Sequence, residues 1–240
     1  MNAKAAAALS ALAIVCMVGA CGQSGNVAEP SASSSQSSTL QREHRDDGVR
    51  KQPAGDACTT KPWDETRPET APTVEWEYQD QTLWPYPVSE QLGPFQSDQD
   101  GYRHCYAHSP SGAVIAAANI AAMMTDQRIM TDADSLIKLF GKGPQYETIK
   151  EKLKSETLTH NSSSGVRAEL YGFKILDAKE TSAIIDLGYQ ASADGRNVNM
   201  SIVYNLTWDD GDWKLQSEST VPISSAVLSS FVNYIPWRET

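Results

Sequence analysis

The sequence predicts an α+β fold in which N-terminal helices pack on a curved antiparallel sheet. Three observations carry that reading. Helix-start chemistry and helical spacing fill the stretch from Ser109 to Lys154, and the apolar period then switches to two from Val166 to Gln216. Helices followed by a meander of strands is an α+β order. Asp-Gly pairs at Asp194-Gly195 and Asp210-Gly211 separate the last strands as hairpin turns. A chain of 240 residues suits one domain plus tails.

Thr73 to Tyr78 alternates, with Val74, Trp76 and Tyr78 on one side and Thr73, Glu75 and Glu77 on the other, as a half-buried strand does. Leu83-Trp84-Pro85-Tyr86-Pro87 cannot be a central strand, because its two prolines lack the ladder donor. It reads as an extended segment laid over the domain. Gly93-Pro94 and Asp98 to Gly101 are turns. Ser109-Pro110 starts a helix, with Ser as N-cap and Pro at the first helical position. That helix runs from Ala113 to about Met124, and its alanines let another element approach closely. Thr131 to Asp134 opens a second helix that stops at Gly141, and Gly143-Pro144 opens a third over Gln145 to Lys154. The strands are Val166 to Leu176, Ser182 to Gln190, Asn197 to Trp208 and Asp212 to Gln216. In the third, Val198, Met200, Ile202, Tyr204, Leu206 and Trp208 share one face. A short helix or turn is expected over Ser225 to Tyr234.

The chain opens Met1-Asn2-Ala3-Lys4 and then runs apolar from Ala5 to Ala20, a signal-peptide pattern too short to span a bilayer as a helix. The run ends Val18-Gly19-Ala20-Cys21, which resembles the bacterial lipobox. The resemblance implies cleavage before Cys21 and acylation of its thiol. Cys16 competes poorly, because Val15 is not small. Two acyl chains at about 0.8 kcal/mol per buried methylene would anchor durably. Residues 1–20 are therefore expected to be a lipoprotein signal peptide. Residues 21–57 follow as an acylated Cys and a Ser-rich tether, since SASSSQSS and QREHRDDGVRKQPAGDA lack apolar periodicity. A coil of about 36 residues would extend roughly 30–36 Å. The domain is expected over 58–240, with 58–100 as an extended cover and 101–240 as the helix-and-sheet body. Cys58 and Cys105 then remain, and in an exported protein they most simply form one disulfide.

Twenty basic and 30 acidic side chains give a net charge of −10, which argues against nucleic acid as a partner. Metal ligation at His104, Cys105 and His108 is weighed and set aside. The two His share a face only in a helix, and Ser109-Pro110 starts the helix after them. No metal or other cofactor is expected. Trp63, Trp76 and Trp84 are read as cover residues, and no catalytic fingerprint is visible.

Helices on a curved sheet resemble the nuclear-transport-factor-two-like, or cystatin-like, cone, and Asp210 to Leu215 resembles a strand end met in that superfamily. Enzymes of that superfamily hold a carboxylate in an apolar pocket, where burial raises its pKa. The strand carboxylates Glu169 and Asp186 are the alternative pocket candidates, with exposure on the sheet as the default for both.

A closer resemblance rests on Val74-Glu75-Trp76-Glu77-Tyr78, Pro87-Val88-Ser89, Gly93-Pro94, Gly101-Tyr102, Ala107-His108-Ser109-Pro110-Ser111-Gly112-Ala113 and Ala116-Ala117-Ala118-Asn119. These residues are similar to those of an actinobacterial family of secreted proteins and lipoproteins with a domain of unknown function, over roughly residues 74–240. Some members are encoded on integrative conjugative elements. The resemblance implies a non-catalytic binding or assembly role at the extracytoplasmic face of the cell membrane. The partners would be the membrane, through the lipid, and an envelope protein, in the setting of a conjugative transfer machine. A wall-associated accessory role is a blander form of the same expectation. The family's activity is not established, so no functional residue is carried over.

Overall fold

The computed structural model describes residues 58, 62–79, 85–156, 158, 167–193 and 196–237. All of these lie in one compact unit. Cys21, the signal peptide, the tether and Trp84 lie outside the described residues.

The fold is α+β. Its largest sheet has β5 (Arg167–Lys179), β6 (Ser182–Ala193) and β7 (Arg196–Asp209) as three long antiparallel strands in sequence order. β8 (Asp212–Leu215) and β9 (Ile223–Leu228) share the far edge of β7. The short β10 (Ile235–Pro236) pairs with β5 at Gly172 and Phe173. The Asp210-Gly211 turn between β7 and β8 has φ of 55° at Asp210 and 77° at Gly211, the twin positive angles that a two-residue hairpin of matching twist requires. Two bulges interrupt β5, one at Tyr171 and one at Leu176, and bulges bend and twist the strand that carries them.

Helix α1 (Pro110–Met123) is the centre of the molecule. Its apolar residues circle the whole cylinder, and all of its positions except Ser111 are buried. A helix apolar on every side must be covered on every side. One side packs on β5, β6, β7 and β8, and another meets β2 (Tyr86–Val88) and β4 (Arg103–His104). β2 pairs with β1 (Glu75–Glu77), and β4 pairs with β3 (Gln96–Ser97), so two small antiparallel sheets form a cover. Alanines at 113, 116, 117, 118, 121 and 122 make this close sandwich possible, while Val114, Ile115, Ile120 and Met123 fill the larger gaps.

After α1 come α2 (Gln127–Met130), α3 (Ala133–Ile137) and α4 (Tyr146–Ser155). The second expected helix is shorter than its apolar run, and α2 was not foreseen. Asp126 and Asp132 each cap a short helix through a side-chain oxygen, which splits the segment in two. The expected helix or turn over Ser225–Tyr234 is corrected more sharply. Residues 223–228 form an edge strand, and the turn follows it. Pairing with β7 outweighs the helix-like spacing of Val227 and Phe231.

Candidate functional site

The motif that marks the start of α1 is where the molecule concentrates its polar and aromatic chemistry. Ser109 accepts a hydrogen bond from the Gly112 N–H at 3.0 Å, and Pro110 takes the first helical turn, as the sequence predicts. Gly112 has a separate reason. A Cβ there would overlap the carbonyl oxygen of Ala107 and lie 2.7 Å from its carbonyl carbon. That carbonyl is held in place, because it accepts from Trp213 Nε1 at 3.1 Å and from the Ser109 N–H at 2.9 Å. The Ala-His-Ser-Pro-x-Gly-Ala pattern is thus the local geometry of a helix start pressed against a strand.

His108 does not face an open site. Its Nε2 donates to the Glu180 carbonyl at 2.6 Å, and its ring stacks on Trp208 with centroids 3.9 Å apart. Trp63 meets the His108 ring edge-on at 5.2 Å and Trp213 at 6.2 Å, so it serves as a cover residue there. Trp76 covers the other end, 5.5 Å from Trp237.

Cys58 and Cys105 are joined in a disulfide with Cα atoms 5.1 Å apart. His104 lies beside it, with Nε2 3.2 Å from Asp98 Oδ1 and Nδ1 3.4 Å from Cys105 Sγ. The ligand atoms of Cys58, His104 and Cys105 come within 4.8 Å of one another. With both sulfurs in the disulfide, neither is a thiolate, so this trio lacks the charged donors a zinc site uses.

Cys105 takes a left-handed φ of 65°, unfavourable for a residue with a Cβ by about 1 kcal/mol or more. Two neighbours hold it there: the disulfide, and Asp212. Asp212 Oδ1 accepts from the Tyr106 N–H and from the Trp213 N–H, each at 3.0 Å. Only 3% of Asp212 is exposed. Burial pushes its carboxyl up to about 6, although the Tyr106 and Cys105 backbone N–H groups pull the other way. Sequence reasoning missed Asp212, because an acid at the first position of a short strand carries no signal of burial.

The cover is fastened by further buried polar groups. The Arg103 guanidinium lies over the Tyr86 ring at 4.1 Å and pairs with Glu77 Oε2 at 2.7 Å. Tyr86 donates to Asp126 at 3.2 Å, and Asn119 of α1 donates to the Pro87 carbonyl at 2.8 Å. Arg128 joins Asp126 and Gln79, each at 2.6 Å. The Asp126 carboxylate holds the Arg128 guanidinium above its ordinary pKa.

The two sheet carboxylates part company. Glu169 is exposed on β5, opposite Gln190. Asp186 lies on the face opposite Ile185 and Leu187, as alternation predicts, but it is 7% exposed rather than solvated. The C-terminal segment folds over it. Ser201 donates to Oδ1 at 2.6 Å and Tyr234 to Oδ2 at 2.7 Å, and the Lys174 ammonium sits over the Tyr234 ring at 4.1 Å. Burial pushes the Tyr234 hydroxyl up to about 12, so it stays protonated and donates. Asp186 is therefore turned away from the helix-facing core, with both carboxylate oxygens engaged. The core itself is filled by Phe173, Ile185, Leu187, Tyr189, Ile202, Tyr204 and Leu206 against α1.

Fold and site together define an α+β domain whose buried helix carries a disulfide-fastened cover. The chain belongs to the family described as a domain of unknown function, DUF8175, whose model matches residues 41–236. The match begins inside the stretch read as tether. Comparisons with curated proteins and with solved structures found no match for either.

Proposed function

We propose that this protein is a lipid-anchored lipoprotein on the extracytoplasmic face of a bacterial cell membrane, where its domain serves binding or assembly rather than catalysis. The Cys58–Cys105 disulfide is the observation that carries the reading. Disulfides persist in oxidising compartments, and export through a signal peptide ending at Cys21 would deliver the chain to one. The filled core supports the binding role, because a small-molecule site needs a concave space with convergent polar groups. The buried carboxylates support it too, since backbone N–H groups or hydroxyls already occupy Asp186 and Asp212. Two finer readings go with it. The helix-on-sheet body is a relative of the cystatin-like cone, and the envelope partner belongs to an actinobacterial conjugative transfer system.

The test is metabolic labelling with an alkyne fatty acid, followed by cell fractionation. The wild-type chain is expected to carry label and to sediment with membranes, and Cys21→Ser to lose both. A Cys21→Ser chain that stays in the membrane fraction, with no acyl mass on the wild type, would sink the anchor.

A further inference from the structure

We infer that the free edge of β9 is a self-association surface, on which a second copy of this chain adds its own β9 in antiparallel register. The inference is independent of the lipid anchor.

The argument starts from hydrogen-bond parity. In an antiparallel pair, alternate residues direct their N–H and C=O groups toward the partner strand, and the intervening ones direct theirs away. The Asn205 N–H donates to the Pro222 carbonyl at 2.9 Å, which fixes that parity. Given the register of β7 and β9, Ser224, Ala226 and Leu228 bond toward β7. Ile223, Ser225 and Val227 therefore present their N–H and C=O groups to the outside. Among the described strands, only β7 pairs with β9.

An open strand edge is a template for pairing, and proteins blunt such edges with charges, proline, bulges or a covering element. The two edges of this sheet differ in that respect. The β5 edge carries two bulges, the charged Lys174, Asp177 and Lys179, and β10 across its middle. β9 reads Ile-Ser-Ser-Ala-Val-Leu, with no charge, no proline and no bulge. Its four residues from Ser224 to Val227 are all exposed, and Val227 is 75% exposed. The neutral run extends from Ser219 to Trp237 without one Asp, Glu, Lys or Arg, and it includes Val232, itself 62% exposed.

The occupant follows from charge. A chain of net charge −10 repels its own copies over most of its surface. The β9 edge is where two copies can meet with no charge opposed to charge. Antiparallel pairing about a twofold axis at Ser225 sets the exposed Val227 of each copy beside the buried Ile223 of the other, so the pairing rests on backbone hydrogen bonds and on the absence of opposed charge. Such an interface is closed and self-complementary, which limits it to a dimer.

The experiment is the solution mass of the purified full chain by light scattering on a sizing column, with three variants. Ser225→Pro removes an outward N–H that β7 does not use. Val227→Lys places a charge on the edge through an already exposed side chain. Glu169→Lys alters the opposite edge. The wild type and Glu169→Lys are expected at twice the chain mass, and the two β9 variants at half of that. Circular dichroism of Val227→Lys checks that the fold is intact, and Ser225→Cys should crosslink to a second copy through a short bis-maleimide. A single-chain mass for the wild type overturns the inference and leaves the edge to a strand from another protein. A doubled mass that survives both β9 substitutions overturns it as well.

Discussion

Gly112→Ala sets two familiar effects against each other. Replacing glycine by alanine in a helix ordinarily stabilises, by up to about 1 kcal/mol. Here the added Cβ would overlap the Ala107 carbonyl oxygen. The overlap cannot be relieved by rotating a side chain, since the obstacle is backbone. The carbonyl can retreat only by weakening its bonds from Trp213 Nε1 and the Ser109 N–H, at a net cost of about 1 kcal/mol each. Strain in a packed region adds about 1–3 kcal/mol. Subtracting the helix gain leaves a net loss of about 2–4 kcal/mol, or roughly 4–16 °C in Tm for a domain of this size.

Urea and thermal melts measure the loss, with Ser111→Ala as the control. Ser111 is the one α1 position that is not buried, so alanine there should be neutral or slightly stabilising. Tryptophan fluorescence of Gly112→Ala should change, because Trp213 loses its fixed acceptor. A Gly112→Ala chain as stable as wild type would show that the carbonyl is free to move, and the account of the motif would fail.

Two further outcomes test the buried acids. Asp212 titrates near 6 in the fold against an ordinary 3.8, so the folded chain binds the extra proton between those values. The folded pKa is raised, so Asp212 makes the fold less stable as pH rises from about 4 to about 6, by about 3 kcal/mol in all. Asp212→Asn keeps an acceptor for the Tyr106 and Trp213 N–H groups and should flatten that part of the stability–pH curve. An unchanged slope in urea melts from pH 4 to 7 would contradict it. Tyr234→Phe removes the donor to Asp186 Oδ2 and should cost about 1.5–3 kcal/mol, since a buried carboxylate oxygen loses its partner. A urea midpoint equal to wild type would mean that water replaces the hydroxyl.

What the sequence made legible was local. The Ser109-Pro110 cap, the Asp210-Gly211 hairpin and the alternation in β7 each depend on a few adjacent residues, and each stands in the structure within a residue or two of its expected place. What stayed hidden depended on residues far apart in the chain. The β9 strand is chosen by β7, whose edge it completes against the helix-like spacing of Val227 and Phe231. Asp186 alternates as an outward residue should, and only the return of Phe231 and Tyr234 across the sheet buries it. Asp212 opens the fourth strand by spacing and is an interior residue by contact with Tyr106, 106 positions earlier.

The buried polar residues share a structural task. Apolar periodicity can place a long helix or a long strand, and alternation over Thr73 to Tyr78 marks β1, but it cannot place β2, the Cys105 turn or the C-terminal return, which are short and irregular. Each of those segments is held by a polar group from a regular element or by one of its own. Asn119 and Arg103 hold the β1–β2 cover, Asp212 holds the Cys105 turn, and Asp186 holds Tyr234. A buried carboxylate with its lone pairs engaged fixes the position of a segment, because any displacement leaves that carboxylate unpaired in the interior. At Asp212 the carboxyl that burial pushes up is a fastening point. Among the described strands, the uncharged β9 edge keeps its outward backbone groups unpaired, which is where the proposed self-association falls.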